Sequence, residues 1–163
     1  MKELENKILM AIQDNAKINV HDLSLMFNVS EVEVVNLIND LEKNKIICGY
    51  HTLINWDKTD REIVTALIEV KVSPQKDLGF DKIAERIYNF SEVDSVYLMS
   101  GAYDFMVLIE GKSMKEVSRF VFDKLSTLDM VNSTATHFVL KKYKDHGVKF
   151  DDAKKDNRIL VSA

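Results

Sequence analysis

The chain of 163 residues has one cysteine, one proline and five glycines. A lone cysteine excludes an internal disulfide framework and fits a reducing, cytoplasmic setting. So little proline and glycine implies regular elements joined by short turns. No stretch approaches the ~18 consecutive apolar residues of a membrane span, so no membrane contact is expected. The N-terminus, MKELENKILM, is charged from its second residue and lacks the apolar segment of a signal peptide. Arginine is rare as well, with only Arg61, Arg86, Arg119 and Arg158. The net charge of −4 argues against a generic polyanion binder. It leaves room for a local basic patch, because charges are screened beyond ~8 Å at physiological salt.

The patterns that carry chemistry are missing too. There is no G-x-S-x-G, no phosphate-binding loop and no G-x-G-x-x-G. His21, His51, His137 and His146 are scattered, without an i,i+4 pair or a C-x-x-C, so neither a metal nor a cofactor is expected. Asp104 and Glu110 share a strand face by parity, but six residues of strand separate them by roughly 20 Å, too far for paired carboxylates. No catalytic residue is assigned and the expectation is a protein that is not an enzyme. Cys48, beside Gly49 in an apolar stretch, reads as a small buried hydrophobe.

What is present is a core, with apolar residues making up 46% of the chain, and two different periodicities. Leu4, Ile8, Ala11 and Ile12 stripe a first helix over about 4–15. Asn19, with Asp22 three residues on, opens a second that holds Leu23, Met26 and Phe27. After the turn Asn28-Val29, Ser30 and Glu33 make an S-x-x-E capping box for a third, striped by Val34, Leu37, Ile38 and Leu41. Two short helices around a turn make a helix-turn-helix pattern. The following IICGYHTLINW alternates enough for a small hairpin, or wing.

From Glu62 the period becomes two: Val64, Ala66, Ile68, Val70 and Val72 mark a strand over 62–72. Phe80, Ile83, Ala84, Ile87 and Phe90 give a helix. Residues 93–100 and 103–110 give two strands joined by a tight turn at Gly101-Ala102. Ser113 with Glu116 caps a helix running to Leu128, and 131–143 is a last strand. The order strand, helix, strand, strand, helix, strand is the ferredoxin-like βαββαβ plan, an antiparallel sheet with both helices on one face. The fold class is therefore α+β: a winged helix-turn-helix at 1–54, a linker at 55–61, the ferredoxin-like domain at 62–143 and a tail at 144–163. In the tail, RILVSA either docks as an edge strand or frays. The strand 103–110 is apolar on both faces, which calls for a cover over the open face. A second copy of the sheet supplies it most simply, so a homodimer or larger assembly is expected.

The turn MSGAYDF places a hydroxyl, a flexible backbone and a carboxylate together in Ser100, Gly101 and Asp104. An amino acid's ammonium suits the carboxylate, and its own carboxylate suits backbone N–H groups at such a turn. The plainer reading is that Gly101 permits the turn and Asp104 is a turn residue.

A helix-turn-helix, then Ile47-Cys48-Gly49-Tyr50, then the hairpin motif Gly101-Ala102-Tyr103-Asp104 and the strand motif Val131-Asn132-Ser133-Thr134-Ala135-Thr136, resembles the Lrp/AsnC (feast/famine) transcriptional regulators over about residues 4–143. The resemblance implies double-stranded DNA as partner, a second domain that dimerises and assembles further, often as four dimers (an octamer), and a small-molecule effector, commonly an amino acid, held between subunits. The effector positions it implies are Leu98, Ser100, Gly101, Tyr103, Asp104, Met114, Thr134, Thr136 and His137.

One feature fits the resemblance badly. Residues 1–60 hold six lysines and no arginine against ten acids, leaving sixteen charges of each sign in the other 103 residues. The whole deficit lies in the unit that should meet phosphate. By position, the DNA-facing residues of the third helix are Ser30, Glu31, Val32, Glu33, Asn36, Asn39, Asp40 and Lys43. Asn36 and Asn39 suit adenine and a glutamate suits cytosine, but the carboxylates repel the backbone. DNA contact is expected to be weak per module and to depend on avidity. The alternative is a ligand-binding or assembly protein whose acidic helix-turn-helix does not bind DNA. Sirohaem decarboxylases are similar in architecture, but this chain is poor in the arginines that would grip several carboxylates.

Overall fold

The computed structural model describes residues 3–73 and 79–150, which divide between Ile54 and Asn55 into two compact units. The first unit holds α1 (Glu3–Asp14), α2 (Val20–Phe27) and α3 (Glu31–Lys43). Their starts are set by side chains. Asn19 accepts from the Asp22 amide at 2.7 Å and Ser30 from the Glu33 amide at 3.2 Å, each satisfying an N–H that has no partner within its helix. Asn28 ends α2 with φ 53, a left-handed conformation that asparagine tolerates better than most residues. Ile8, Leu23, Val34 and Leu41 form the buried centre of the unit. Met26, expected on the apolar stripe, is 59% exposed, and Ser24 is buried in its place with its hydroxyl on the His21 carbonyl at 2.7 Å.

No wing forms. Residues 48–55 form neither helix nor strand, and the segment is fastened to α3 by the Tyr50 hydroxyl, which donates to Glu42 Oε1 at 2.8 Å. Cys48 is exposed rather than buried. Its thiol donates to the Lys45 carbonyl at 3.1 Å, beside a shallow groove of about 330 Å³ between α1 and residues 46–51.

The second unit opens with a short 3-10 turn, Trp56–Lys58, and then β1 (Val64–Val72), α4 (Phe80–Tyr88), β2 (Val93–Leu98), β3 (Phe105–Gly111), α5 (Met114–Phe120) and β4 (Val131–Phe138). The sheet order is β2-β3-β1-β4 with antiparallel neighbours, so β3 and β1 are central. This is the expected ferredoxin-like topology. Ala66, Ile68 and Val70 on β1 and Phe105, Val107 and Ile109 on β3 are buried against Ile83 and Ile87 of α4 and Val117 and Phe120 of α5. Each fully buried Ile or Phe of this set contributes about 1.5–3 kcal/mol.

Several boundaries differ from the sequence reading. β1 starts at Val64, two residues later than expected. α5 passes at Val121–Leu125 into a π-helical turn and stops there, short of Leu128. Its cap is a shifted box: Ser113 accepts from the Glu116 amide, while the Glu116 carboxylate accepts from Lys112 N at 2.7 Å instead of from Ser113. β4 ends at Phe138 rather than Tyr143. Part of the expected tail forms a hairpin, β5 (Lys144–Asp145) and β6 (Val148–Lys149). The segment 55–61 is not a free linker, since Asn55 Nδ2 donates to the Phe150 carbonyl at 3.2 Å and Arg61 lies 4.6 Å over the Trp56 ring. RILVSA lies outside the described residues.

Among the described residues no helix is long and apolar enough to cross a membrane, and no three His, Cys, Asp or Glu side chains gather as a metal site.

Candidate functional sites

The first candidate is the outer face of α3. Ser30, Glu31, Val32, Glu33, Asn36, Asn39, Asp40 and Lys43 are all exposed, as the helical period of the buried Val34 and Leu41 requires. Their carboxylates are largely uncompensated. Glu31 Oε1 lies 2.7 Å from His21 Nδ1 on α2, a contact that gains charge only when the imidazole is protonated. The face can offer amide groups to base edges, but it carries a single fixed cation, Lys43.

The second candidate is the loop between β2 and β3. It is not a two-residue turn. β2 ends at Leu98 and β3 begins at Phe105, so residues 99–104 form a six-residue loop. Its closing contact is Met99 N to the Asp104 carbonyl, 2.8 Å. Asp104 has a task that the sequence did not disclose. Its amide donates to the Val70 carbonyl at 3.0 Å, and its Oδ2 accepts from the Val72 amide at 2.8 Å. That amide points to the β3 side of β1, like the Val70 carbonyl, and needs an acceptor because the β1–β3 ladder ends at Val70 and Phe105. Asp104 therefore pins the loop to the end of β1. Gly101 stands in open space: a Cβ would meet nothing within 4 Å, and its φ is not in the left-handed region. The turn itself does not require glycine there.

The other effector positions are distributed by topology. Thr134 pairs with Val70, whose partner on the other side is Phe105, so it sits in the row of the residue that follows Asp104, two inter-strand spacings or roughly 9.5 Å from Phe105. Its hydroxyl is 3.4 Å from that of Ser126. Leu98, Thr134 and Thr136 share the face that the helices cover, because their partners Phe105, Val70 and Ile68 are buried there. His137 is on the opposite face, paired with Leu67, with Nε2 3.3 Å from Glu69 Oε1. Met114 opens α5 after the far end of β3, a strand's length from the 99–104 loop. One chain thus brings Leu98, Ser100, Gly101, Tyr103, Asp104 and Thr134 to one end of the sheet, and leaves Met114 and His137 apart from them.

The open sheet face holds a site-forming surface of another kind. Leu67, Met106 and Leu108 lie half-buried at its centre, with Leu67 directly opposite Leu108 and Tyr97 opposite Met106. Tyr97 is 56% exposed.

The family description "Lrp/AsnC ligand binding domain" matches residues 65–148. An uncharacterised HTH-type transcriptional regulator, YugG of Bacillus subtilis, is 50% identical over 163 residues, covering 99% of this chain and 98% of that one. The leucine-responsive regulatory protein of Haemophilus influenzae is 28% identical, covering 86% and 84%. Among solved structures, the transcriptional regulator NMB0573 of Neisseria meningitidis in complex with L-Met superposes with a TM-score of 0.70 at 25% identity, covering 89% of this chain and 93% of that one.

Proposed function

The chain belongs to the Lrp/AsnC family of transcriptional regulators, and from that premise we propose that it is an oligomeric, cytoplasmic DNA-binding regulator whose second unit takes an amino acid between subunits. The observation that carries the effector part is the division of the candidate residues. The loop Ser100–Asp104 with Thr134 occupies one end of the sheet, while Met114 lies beyond the other end and His137 on the opposite face. A second copy is the simplest way to complete a site from such pieces. The L-Met complex of the Neisseria protein supports an amino acid as the ligand class. The half-exposed apolar row Leu67, Leu108 and Met106 supports a homodimer through the open sheet face, with larger assemblies such as an octamer built from it.

DNA binding through α3 is supported by its exposed face and by its place in the helix-turn-helix. Avidity compensates for its few phosphate contacts. Selection of bound duplexes from genomic fragments, with and without each amino acid, tests the whole reading. Recovery of the same fragments with an affinity that shifts for one amino acid is the expected result. No enrichment in any ligand state would overturn it.

A second reading, a ligand-binding assembly protein that does not touch DNA, is favoured by one observation: Glu31, Glu33 and Asp40 all stand on the exposed face of α3. Retention of amino-acid binding and assembly together with absent DNA retardation at low salt would select it.

A further inference from the structure

The hairpin that follows the sheet carries an arrangement that works against its own stability. Lys144 and Lys149 are direct cross-strand partners in the β5–β6 ribbon, and both are exposed. Like charges directly opposite destabilise a strand pair, and a ribbon of two residues per strand is marginal by itself. Among the described residues no carboxylate pairs with either lysine. Paired residues share a face, so Asp145 and its partner Val148 point to the other side. The Asp145 carboxylate is 2.9 Å from His146 Nδ1. The nearby cations are engaged elsewhere, with Lys142 3.7 Å from Glu110 and Lys141 4.9 Å over the Tyr143 ring.

The fold nevertheless holds the two lysines together. His146 (φ 44) and Gly147 (φ 81) form a two-residue turn with both residues left-handed, the kind whose twist matches a hairpin. Phe150 N donates to the Tyr143 carbonyl at 3.0 Å and closes the hairpin. Asn55 then ties Phe150 to the start of the unit. Two ammonium groups fixed side by side on one face become attractive neighbours when an anion sits between them, and lysine is a good point-charge partner for phosphate. The hairpin itself, residues 141–150, holds four lysines and one aspartate, and Asp151 and Asp152 follow it in the sequence.

We propose that the Lys144–Lys149 pair is a contact for the phosphate backbone of duplex DNA, carried by the second unit and separate from α3. It rests on the reading of the chain as a DNA-binding regulator. Such a contact positions DNA without reading its sequence.

The test uses the full chain, fluorescein-labelled mixed-sequence duplex DNA and a series of salt concentrations. K144Q/K149Q is compared with wild type and with K112Q/K115Q, which removes the same charge from elsewhere in the second unit. The double hairpin variant should bind about tenfold more weakly near 0.1 M salt, with a slope of log affinity against log salt smaller by roughly two, while the control stays within about twofold of wild type. Arginines at both positions should restore the slope. Its melting temperature should equal or exceed that of wild type, because a repulsion has been removed. Equal losses in the hairpin and control variants, or a melting temperature lowered by the hairpin change, would overturn the proposal. Wild type that binds no DNA at any salt would instead overturn the regulator reading on which it rests.

Discussion

Asp104 Oδ2 accepts a hydrogen bond from the Val72 amide at 2.8 Å, across 32 residues of sequence. The carboxylate that the sequence offers to a ligand's ammonium therefore already has one oxygen committed to the end of β1. Asp104→Ala should leave a half-buried amide without its acceptor and cost about 1–3 kcal/mol of stability, so loss of effector binding in that variant would be ambiguous. Asp104→Asn keeps an acceptor and removes the charge. Near-wild-type stability in thermal melts with weakened amino-acid binding by calorimetry is the expected pair of results. Unchanged affinity would remove Asp104 from the site.

Tyr50 and Glu42 take the role that a wing hairpin was expected to fill. Partial burial, and then the hydrogen bond to the Glu42 carboxylate and its negative charge, hold the Tyr50 phenol above its ordinary pKa of 10.0. A folded-state pKa raised above the unfolded one gives stability that is complete below the unfolded value and lost as pH rises through the folded one. Tyr50→Phe should thus melt lower than wild type at neutral pH, and the gap should close on titration above about pH 10. A gap that stays constant to about pH 11.5 would show that the phenol proton is not what fastens this segment.

The boundary between what was legible and what was not follows the range of the interactions. Asn19, Ser30 and Ser113 cap helices through bonds spanning three residues, and residue type alone identifies them. The alternation of Ala66, Ile68 and Val70 reports burial on one face and was equally plain. The role of Asp104 depends on where the β1–β3 ladder ends, a pairing of strands far apart in sequence that no local pattern encodes. The β5–β6 hairpin did leave a signal, His146-Gly147, but two residues per strand are too few to show alternation. The opposed faces of Thr136 and His137 follow from parity. The effector positions implied by family resemblance cut across that parity, taking both Thr136 and His137.

Asp40 offers a cleaner probe of α3 than Glu31. Glu31 contacts His21 at 2.7 Å, so Glu31→Lys also sets a new cation against the imidazole. Asp40 is exposed, and Asn44 reaches only its backbone carbonyl, from Nδ2 at 2.8 Å and from its amide at 3.0 Å, leaving the carboxylate out of the cap. Asp40→Arg should tighten duplex binding several-fold and steepen the salt slope by up to about one per chain. Salt titrations identical to wild type would place this face away from DNA.

Leu108 lies opposite Leu67 on the open face of the sheet, only half-buried in the single chain. A charge there is tolerable while the face meets water and costly once it meets another sheet. Leu108→Glu should keep its circular dichroism but sediment as a smaller species than wild type at the same concentration. An unchanged sedimentation coefficient would mean that subunits associate through another surface.

Gly101 separates a turn requirement from a ligand requirement. Its backbone is not left-handed and a Cβ would meet nothing within 4 Å, so Gly101→Ala should be neutral, or stabilise the chain by about 0.4–1 kcal/mol through the unfolded state. If an effector or a neighbouring subunit packs against the backbone of this loop, the added methyl group intrudes there and nowhere else. The expected outcome is an unchanged or raised melting temperature without ligand, together with weaker amino-acid binding or a smaller assembly. Wild-type affinity and wild-type assembly in this variant would show that nothing approaches the loop closely, and would move the effector site away from residues 99–104.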